Sequence, residues 1–394
     1  NNSMWVGKNG VWFNSSGSAN PATNSDPRWT GLATTSTLWF PFAGGYASSP
    51  AVSFNFGQKA FTYTPPTGFR SLSTSNLPTP TIVKPSEHFD TVTYTGNSST
   101  KSISSLNFKP DLVWIKGRSY GSSNHILNDI VRGPNKTLFS NQSLAEYTDR
   151  GIESFDSNGF SLSGTEGGDA NADTQTYVAW NWKGSNATTT NTAGSITSVV
   201  SANPTAGFSV INYTGTGASG AVGHGLSSTP NFIIFKQRSG GAGSGVQDWG
   251  TYHSSIGSTG AVRLNLNNAN VTNSTYFNNA TPTATVINLG SFQNYNELNG
   301  NFIAYAFSEV PGYSKFGGYT GNNSSDGVFV YTGFKPRWIM IKRTDSANEW
   351  AIIDTARNTY NPLITQLYAN QSTQDTTWSS VDALSNGFKL RSNN

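Results

Sequence analysis

The sequence predicts an all-β chain of tandem antiparallel β-sandwich domains, and three observations carry that prediction. One strand is written three times, as Leu112-Val113-Trp114-Ile115-Lys116, Phe232-Ile233-Ile234-Phe235-Lys236 and Trp338-Ile339-Met340-Ile341-Lys342. Each copy follows a proline that cannot donate to a ladder, Pro110, Pro230 or Pro336, so each reads as a buried strand entered from a turn. The composition is the second observation: 13% aromatic and 41 Gly with only 11% charge, against roughly 25% charge in an ordinary soluble protein. Such aromatic content excludes a disordered chain and favours strands and turns. Third, short alternating segments recur between Gly, Asn and Ser turns, with no sustained helical period.

The repeat sets the domain plan. Tyr94, Tyr213 and Tyr319 each open a Tyr-Thr-Gly, lying 22, 23 and 23 residues before Lys116, Lys236 and Lys342. Those lysines are 120 and 106 residues apart, the size of a whole small domain, which predicts separate domains on a string.

In chain order, residues 1–72 offer strands at Val11-Trp12-Phe13-Asn14, at Leu38-Trp39-Phe40-Pro41-Phe42, and at 52–57, where alternation puts Val52, Phe54 and Phe56 on one face. Residues 73–87 are proline-rich and predict a semi-extended linker. The first sandwich repeat spans 88–184, with strands expected at 89–94, 112–116, 126–130, 159–162 and 177–182. Residues 185–204, rich in Ser, Thr and Asn, read as a second linker. The second repeat spans 205–312 and closes on Phe302-Ile303-Ala304-Tyr305-Ala306-Phe307, the counterpart of Tyr177-Val178-Ala179-Trp180-Asn181-Trp182. The third, 313–394, follows without a linker and should sit tightly against the second. Its Asn386-Gly387-Phe388 matches Asn158-Gly159-Phe160, but no closing strand follows, so it reads as truncated and both ends of the sequence as cut within domains. The longest helix-compatible stretch is 361–371.

Few residues suggest chemistry. Asp129 with Arg132, and Asp354 with Arg357, have the spacing of a carboxylate holding a guanidinium across a tight turn. A structural ion pair is the expectation there, with a ligand site as the alternative; His253 takes the place in the second repeat. Asp169, Asn171 and Asp173 alternate like the start of a calcium loop, but Thr174 and Trp180 replace the glycine and the bidentate Glu that such a loop requires. Calcium is therefore the weaker reading beside a solvated loop, and no other cofactor is expected. The glycines of 215–220 match a dinucleotide fingerprint in letters, yet no helix opens after them. His88, His125, His224 and His253 share no metal-ligand spacing, and no nucleophile elbow or cysteine is present. Trp180 with Trp182, and Tyr305 with Phe307, share strand faces that fill a core by default and offer a sugar platform otherwise. A net charge of +3 without basic clusters gives no nucleic-acid footprint, and no apolar run predicts membrane insertion.

Two resemblances extend this reading. The Trp-Phe-Asn strand, the aromatic-Pro-aromatic strand, and Val52-Ser53-Phe54-Asn55-Phe56-Gly57-Gln58 with Phe61 resemble the C-terminal half of a SPRY-like, concanavalin-like β-sandwich, which implies a first half upstream in a longer polypeptide. The repeats, with Tyr-Thr-Gly, Lys-Pro before the aromatic-aliphatic-Ile-Lys-Arg strand, Asn-Gly-Phe, and Val310-Pro311-Gly312-Tyr313-Ser314-Lys315-Phe316-Gly317, resemble a β-repeat domain of unknown function found in structural proteins of marine bacteriophages. That resemblance implies a non-enzymatic virion protein, a segment of a tail fibre or adhesin on the outer surface of the phage particle. Its implied partners are other virion proteins, further copies in a homo-oligomer, and a host-surface glycan or protein. The contact loops expected are 119–124, 239–245 and 344–348, which differ between the copies. A capsid or tail decoration protein, a self-assembling filament subunit and a secreted carbohydrate-binding protein are the alternatives.

Overall fold

The computed structural model describes residues 3–14, 17–32, 53–71, 80–164, 167–243 and 245–392. The chain divides into two compact units, Asn1–Thr79 and Pro80–Asn394. The fold is all-β, with antiparallel ladders throughout both.

In the first unit, Val6–Lys8 pairs with Val11–Phe13. Asn9 and Gly10 between them take φ of 54° and 78°, the left-handed pair a tight hairpin turn needs. The strand expected at 52–57 does not form over residues 53–57. Asn55 Oδ1 accepts from the N–H groups of Gly57 and Lys59, and Gln58 Oε1 accepts from Phe56 N–H. These local bonds hold the backbone in a turn and compete with any ladder. The strand expected at 38–42, Val52, and residues 73–79 of the expected linker lie outside the described residues.

The second unit contains all three repeats. In repeat 1 the sheet runs, edge to edge, Phe89–Thr95, Thr176–Trp182, Leu112–Gly117, Ile126–Asp129, Lys136–Phe139, Tyr147–Thr148, and a three-stranded sheet of Lys101–Ile103, Gly159–Leu162 and Ile152–Asp156 accompanies it. Repeat 2 has the same centre: Phe208–Thr214, Gly300–Phe307, Phe232–Gly240, Gly250–His253. Thus the closing strand, Thr176–Trp182 or Gly300–Phe307, lies between the first strand and the anchor strand. Repeat 3 is one six-stranded sheet ending at the anchor strand Trp338–Ile341.

The anchor strands are apolar without alternation because both faces are covered. Val113 and Ile115 join Phe160, Leu162, Tyr177 and Ala179 in the interior of repeat 1. Their neighbours Leu112 and Trp114 turn the other way, into a core that also takes Trp180 and Trp182, Phe232 and Ile234 with Trp249 and Tyr305, and Trp350 with Ile352. That second core draws on all three repeats, and it corrects the expectation of separate domains on a string.

Two further expectations are corrected. Residues 185–204 are not a linker: Thr189–Asn191 and Ser198–Asn203 extend the sheet of repeat 2, because Ser198 and Ser201 bury their hydroxyls against Gly223 O and Asp111. The helix-compatible stretch contains the strand Leu363–Tyr368, paired with Thr376–Leu384 on one side and Ala351–Asp354 on the other.

The repeat motifs have steric causes. A Cβ on the motif glycines Gly96 and Gly215 would stand 2.1 and 2.2 Å from the carbonyl oxygens of Ala172 and Glu297, just ahead of the closing strands.

Candidate functional site

The three repeats meet at three seams built to one pattern, which closes them into a ring. Each anchor motif carries a lysine, within the strand at 116 and 236 and just after it at 342, aimed at a carbonyl of the neighbouring repeat: Lys116 Nζ donates to Ser372 O (3.1 Å), Lys236 to Ser143 O (3.1 Å) and Lys342 to Asn267 O (3.2 Å). Those carbonyls each lie two residues beyond an asparagine, Asn370, Asn141 or Asn265. The same asparagines cap the strand next to the anchor, their Oδ1 accepting at 3.0 Å from the N–H of Trp350, His125 and Trp249 respectively. The capped aromatic then reaches across its own seam. His125 Nε2 bonds Tyr368 O, Trp249 Nε1 donates to Phe139 O, and Trp350 Nε1 donates to Arg263 O. A backbone bond repeats as well: Asp375 N–H to Arg118 O, Glu146 N–H to Arg238 O, and Asn270 N–H to Thr344 O.

Burial inside the seams changes the lysines. Desolvation pushes Lys236 down to about 7 and Lys116 down to about 8, and lowers Lys342 as well. His125 accepts at Nδ1 from Trp114 Nε1, so Nε2 carries the proton donated to Tyr368 O. Burial holds its imidazole well below the usual range.

The Asp-x-x-Arg residues sit at two of the seams. Arg132 Nε is 2.5 Å from Asp129 Oδ2, both side chains fully buried, and Tyr305 of repeat 2 donates its hydroxyl to the same oxygen at 2.8 Å. Glu146 extends the network to Arg132 and Arg238. Burial opposes the charge on Arg132, but Asp129, Tyr305 and Glu146 outweigh it and the guanidinium holds its proton more tightly than usual. The counterpart joins repeats 3 and 1: Arg357 Nε to Asp354 Oδ2 at 2.6 Å, Trp180 Nε1 to the same oxygen at 3.1 Å, and Asp375 bridging Arg357 and Arg118. These four residues are therefore seam brackets.

The calcium candidates do not converge. Asp169 takes Arg150 at 3.0 Å and the N–H of Asn124 at 2.6 Å, while Asn171 joins Asn97 N–H to Ser99 O. Asp173 donates its backbone N–H to Ser98 Oγ. Among the described residues no group of three His, Asp or Glu side chains is placed to hold a metal ion. The aromatic pairs are not a platform either: Trp180, Trp182, Tyr305 and Phe307 belong to the shared core.

One opening lies at the seam between repeats 1 and 3. Ser122 and Asn124, from one expected contact loop, line an open groove of about 500 Å³ with Asn141, Gln142 and residues 370–373. Its walls are amide and hydroxyl throughout. Asn141 Nδ2 and Gln142 Nε2 both donate to Asn124 Oδ1, at 2.8 and 2.7 Å, and Thr373 Oγ1 donates to Gln371 Oε1. Tyr120, 40% exposed, stands on the same loop. The groove residues were legible as a repeated Asn-Gln-Ser at 141–143 and 370–372, each three residues before an acid, Glu146 or Asp375, a signal the reading of anchor strands passed over. The other two expected loops, 239–245 and 344–348, also begin where an anchor strand meets a neighbouring repeat.

A family model described as Domain of unknown function (DUF7483) matches residues 84–394. The chain belongs to that family. The DUF7483 match covers the three repeats and their seams together, and so coincides with the ring and not with one repeat. No curated protein and no solved structure matches the chain.

Proposed function

We propose that this chain is a non-enzymatic structural segment of a bacteriophage tail fibre or adhesin, and that its seam loops present a site for a neutral host-surface glycan. The viral assignment rests on the sequence resemblance. The observation that carries the binding role is the groove of Asn124, Asn141, Gln142, Asn370 and Gln371. Amides and hydroxyls on a fixed backbone match the donors and acceptors of sugar hydroxyls, and a wall without carboxylate or ammonium suits an uncharged ligand. The asparagine caps and buried lysines beneath hold that wall in place, so binding need not order a loop.

The test is adsorption of the purified chain to susceptible cells and to an array of neutral and anionic glycans, with Gln371→Trp and Ser122→Trp as filled-groove variants. Retention on neutral glycans that both variants lose supports the reading. Failure of the chain to bind cells or any glycan refutes it.

A further inference from the structure

We propose that repeat 2 carries a small-molecule site, a pocket lined by Arg263, Val271, Tyr276, Phe292, Asn294 and Tyr295 that takes a six-membered ring bearing a carboxylate. The proposal stands independently of the glycan groove, with which the pocket shares no residue.

The pocket lies where repeat 1 places two rings of its own. Arg263 stands at the position of Phe139, since the carbonyl of each accepts the indole bond that crosses a seam, from Trp350 Nε1 and Trp249 Nε1. Val271 stands at the position of Tyr147: it pairs with Ala261 as Tyr147 pairs with Thr137, and it follows the seam residue Asn270 as Tyr147 follows Glu146. In repeat 1 Phe139 is buried, meets Tyr147 edge to face with centroids 5.2 Å apart, and lies 5.9 Å beneath the Arg150 guanidinium. Repeat 2 has neither ring at these positions, and a cavity of about 250 Å³ opens there.

The walls are built without a ligand. Tyr276 meets Phe292 and Tyr295 edge to face, with centroids 4.8 and 5.5 Å apart, and both tyrosines are buried. The single turn Gln293–Asn296 is pinned by Asn294 Nδ2 on Asp248 O at 3.1 Å and by the Tyr295 hydroxyl on Thr251 O at 3.3 Å. Arg263 is aimed from one side only. Its Nη1 donates to Asp248 Oδ2 at 2.6 Å, while the other oxygen of that carboxylate accepts from Asn265 Nδ2 at 2.7 Å. Among the described residues Arg263 Nε and Nη2 have no partner, and the side chain is 36% exposed. Burial raises both phenols, and the charge of Arg263 opposes the rise in each, so the guanidinium is felt across the aromatic wall.

These features specify the ligand. The cavity is smaller than the roughly 300–1,000 Å³ of sites for drug-sized molecules, so it suits one ring and its substituent. Aromatic edges and faces at the positions of Phe139 and Tyr147 favour a ring. The open Nε–Nη2 edge of a guanidinium matches a carboxylate through two parallel hydrogen bonds. Asn268 and Val271 in the lining are exposed, so the pocket reaches solvent and a ring at the end of a longer molecule can enter. Two sources supply this chemistry, a free aromatic acid and a terminal uronic acid of a glycan.

The test titrates the 394-residue chain with sodium benzoate and with methyl glucuronide by calorimetry, against benzamide, methyl glucoside and acetate. Saturable 1:1 binding of either acid, at least about 10-fold tighter than its uncharged counterpart and than acetate, supports the proposal, a ratio set by one charge-assisted hydrogen bond. Binding of benzoate alone identifies an aromatic acid, and binding of the glucuronide alone a uronic acid. Arg263→Gln removes the fork and should weaken binding by the same factor. Val271→Tyr restores the ring of repeat 1 at an exposed position and should block entry even if the arginine variant fails to fold. The proposal is overturned if neither acid binds, if benzamide and methyl glucoside or acetate bind as tightly, or if either variant, folded by circular dichroism, binds as the native chain does.

Discussion

Asp129→Asn is the most informative single change, because one carboxylate oxygen in repeat 1 serves residues of two repeats. Its Oδ2 receives Arg132 Nε at 2.5 Å and the hydroxyl of Tyr305 at 2.8 Å, and its Oδ1 caps Arg132 N–H at 2.9 Å. The amide keeps the shape and removes the charge, leaving a fully buried guanidinium with Glu146 Oε2 at 3.1 Å and two backbone carbonyls, Leu127 O and Lys136 O. Breaking a buried pair from one side costs about 3–5 kcal/mol, and the surviving partners place this case near the lower end, about 3 kcal/mol. Asp354→Asn should cost about the same, since Arg357 and Trp180 depend on it in the same way. Asp345→Asn is the control: its bond to Arg343 lies in solvent and its loss should leave the unfolding midpoint unchanged. Urea unfolding followed by circular dichroism measures the loss, and hydrogen exchange locates it. The substitution in repeat 1 should speed exchange in Gly300–Phe307 of repeat 2. A loss below about 1 kcal/mol, or exchange changes confined to repeat 1, would refute the reasoning.

Two further outcomes follow from the same contacts. Lys236 is held at about 7 by burial against 10.5 when free, so between those values the unfolded chain binds more protons and stability rises with pH. Its contribution to the slope approaches ~1.4 kcal/mol per pH unit; the difference in slope between the native chain and Lys236→Met, read by urea unfolding from pH 7 to 10, isolates it. Gly96→Ala drives a methyl to 2.1 Å from Ala172 O and should destabilise by about 1–3 kcal/mol, whereas Gly321→Ala, at the same motif position with nothing within 4 Å, should stay within about 0.5 kcal/mol. Equal melting temperatures for the two alanine variants would contradict that contrast.

The strands were legible where burial on both faces writes an unbroken apolar run, as at 112–116 and 232–236, and the closing strands by their aromatics. What lay beneath was not. An aromatic in a sandwich interior, such as Tyr177, and one in the core between repeats, such as Trp180, look alike in sequence, so nothing in composition distinguished a ring from a string. Ser198 and Ser201 gave residues 185–204 a linker's composition while serving as buried donors. The i, i+4 spacing of Leu363 and Leu367 suits a helix, but a register shift between Leu363 and Thr365 sends the two leucines into different cores of a strand. The site was partly readable: the Asp-x-x-Arg pairs lie where their spacing puts them, but that Tyr305 and Trp180 complete them from another repeat required the tertiary arrangement.

Trp114, Trp249 and Trp350 place one indole from each repeat in the shared core. Fluorine labels at those three positions, followed by nuclear magnetic resonance through a urea titration, therefore read each repeat separately. A ring held by three like seams loses all three signals at one midpoint. Three separate midpoints, or a surviving native signal from one repeat after the others have unfolded, would show independent domains and contradict the account.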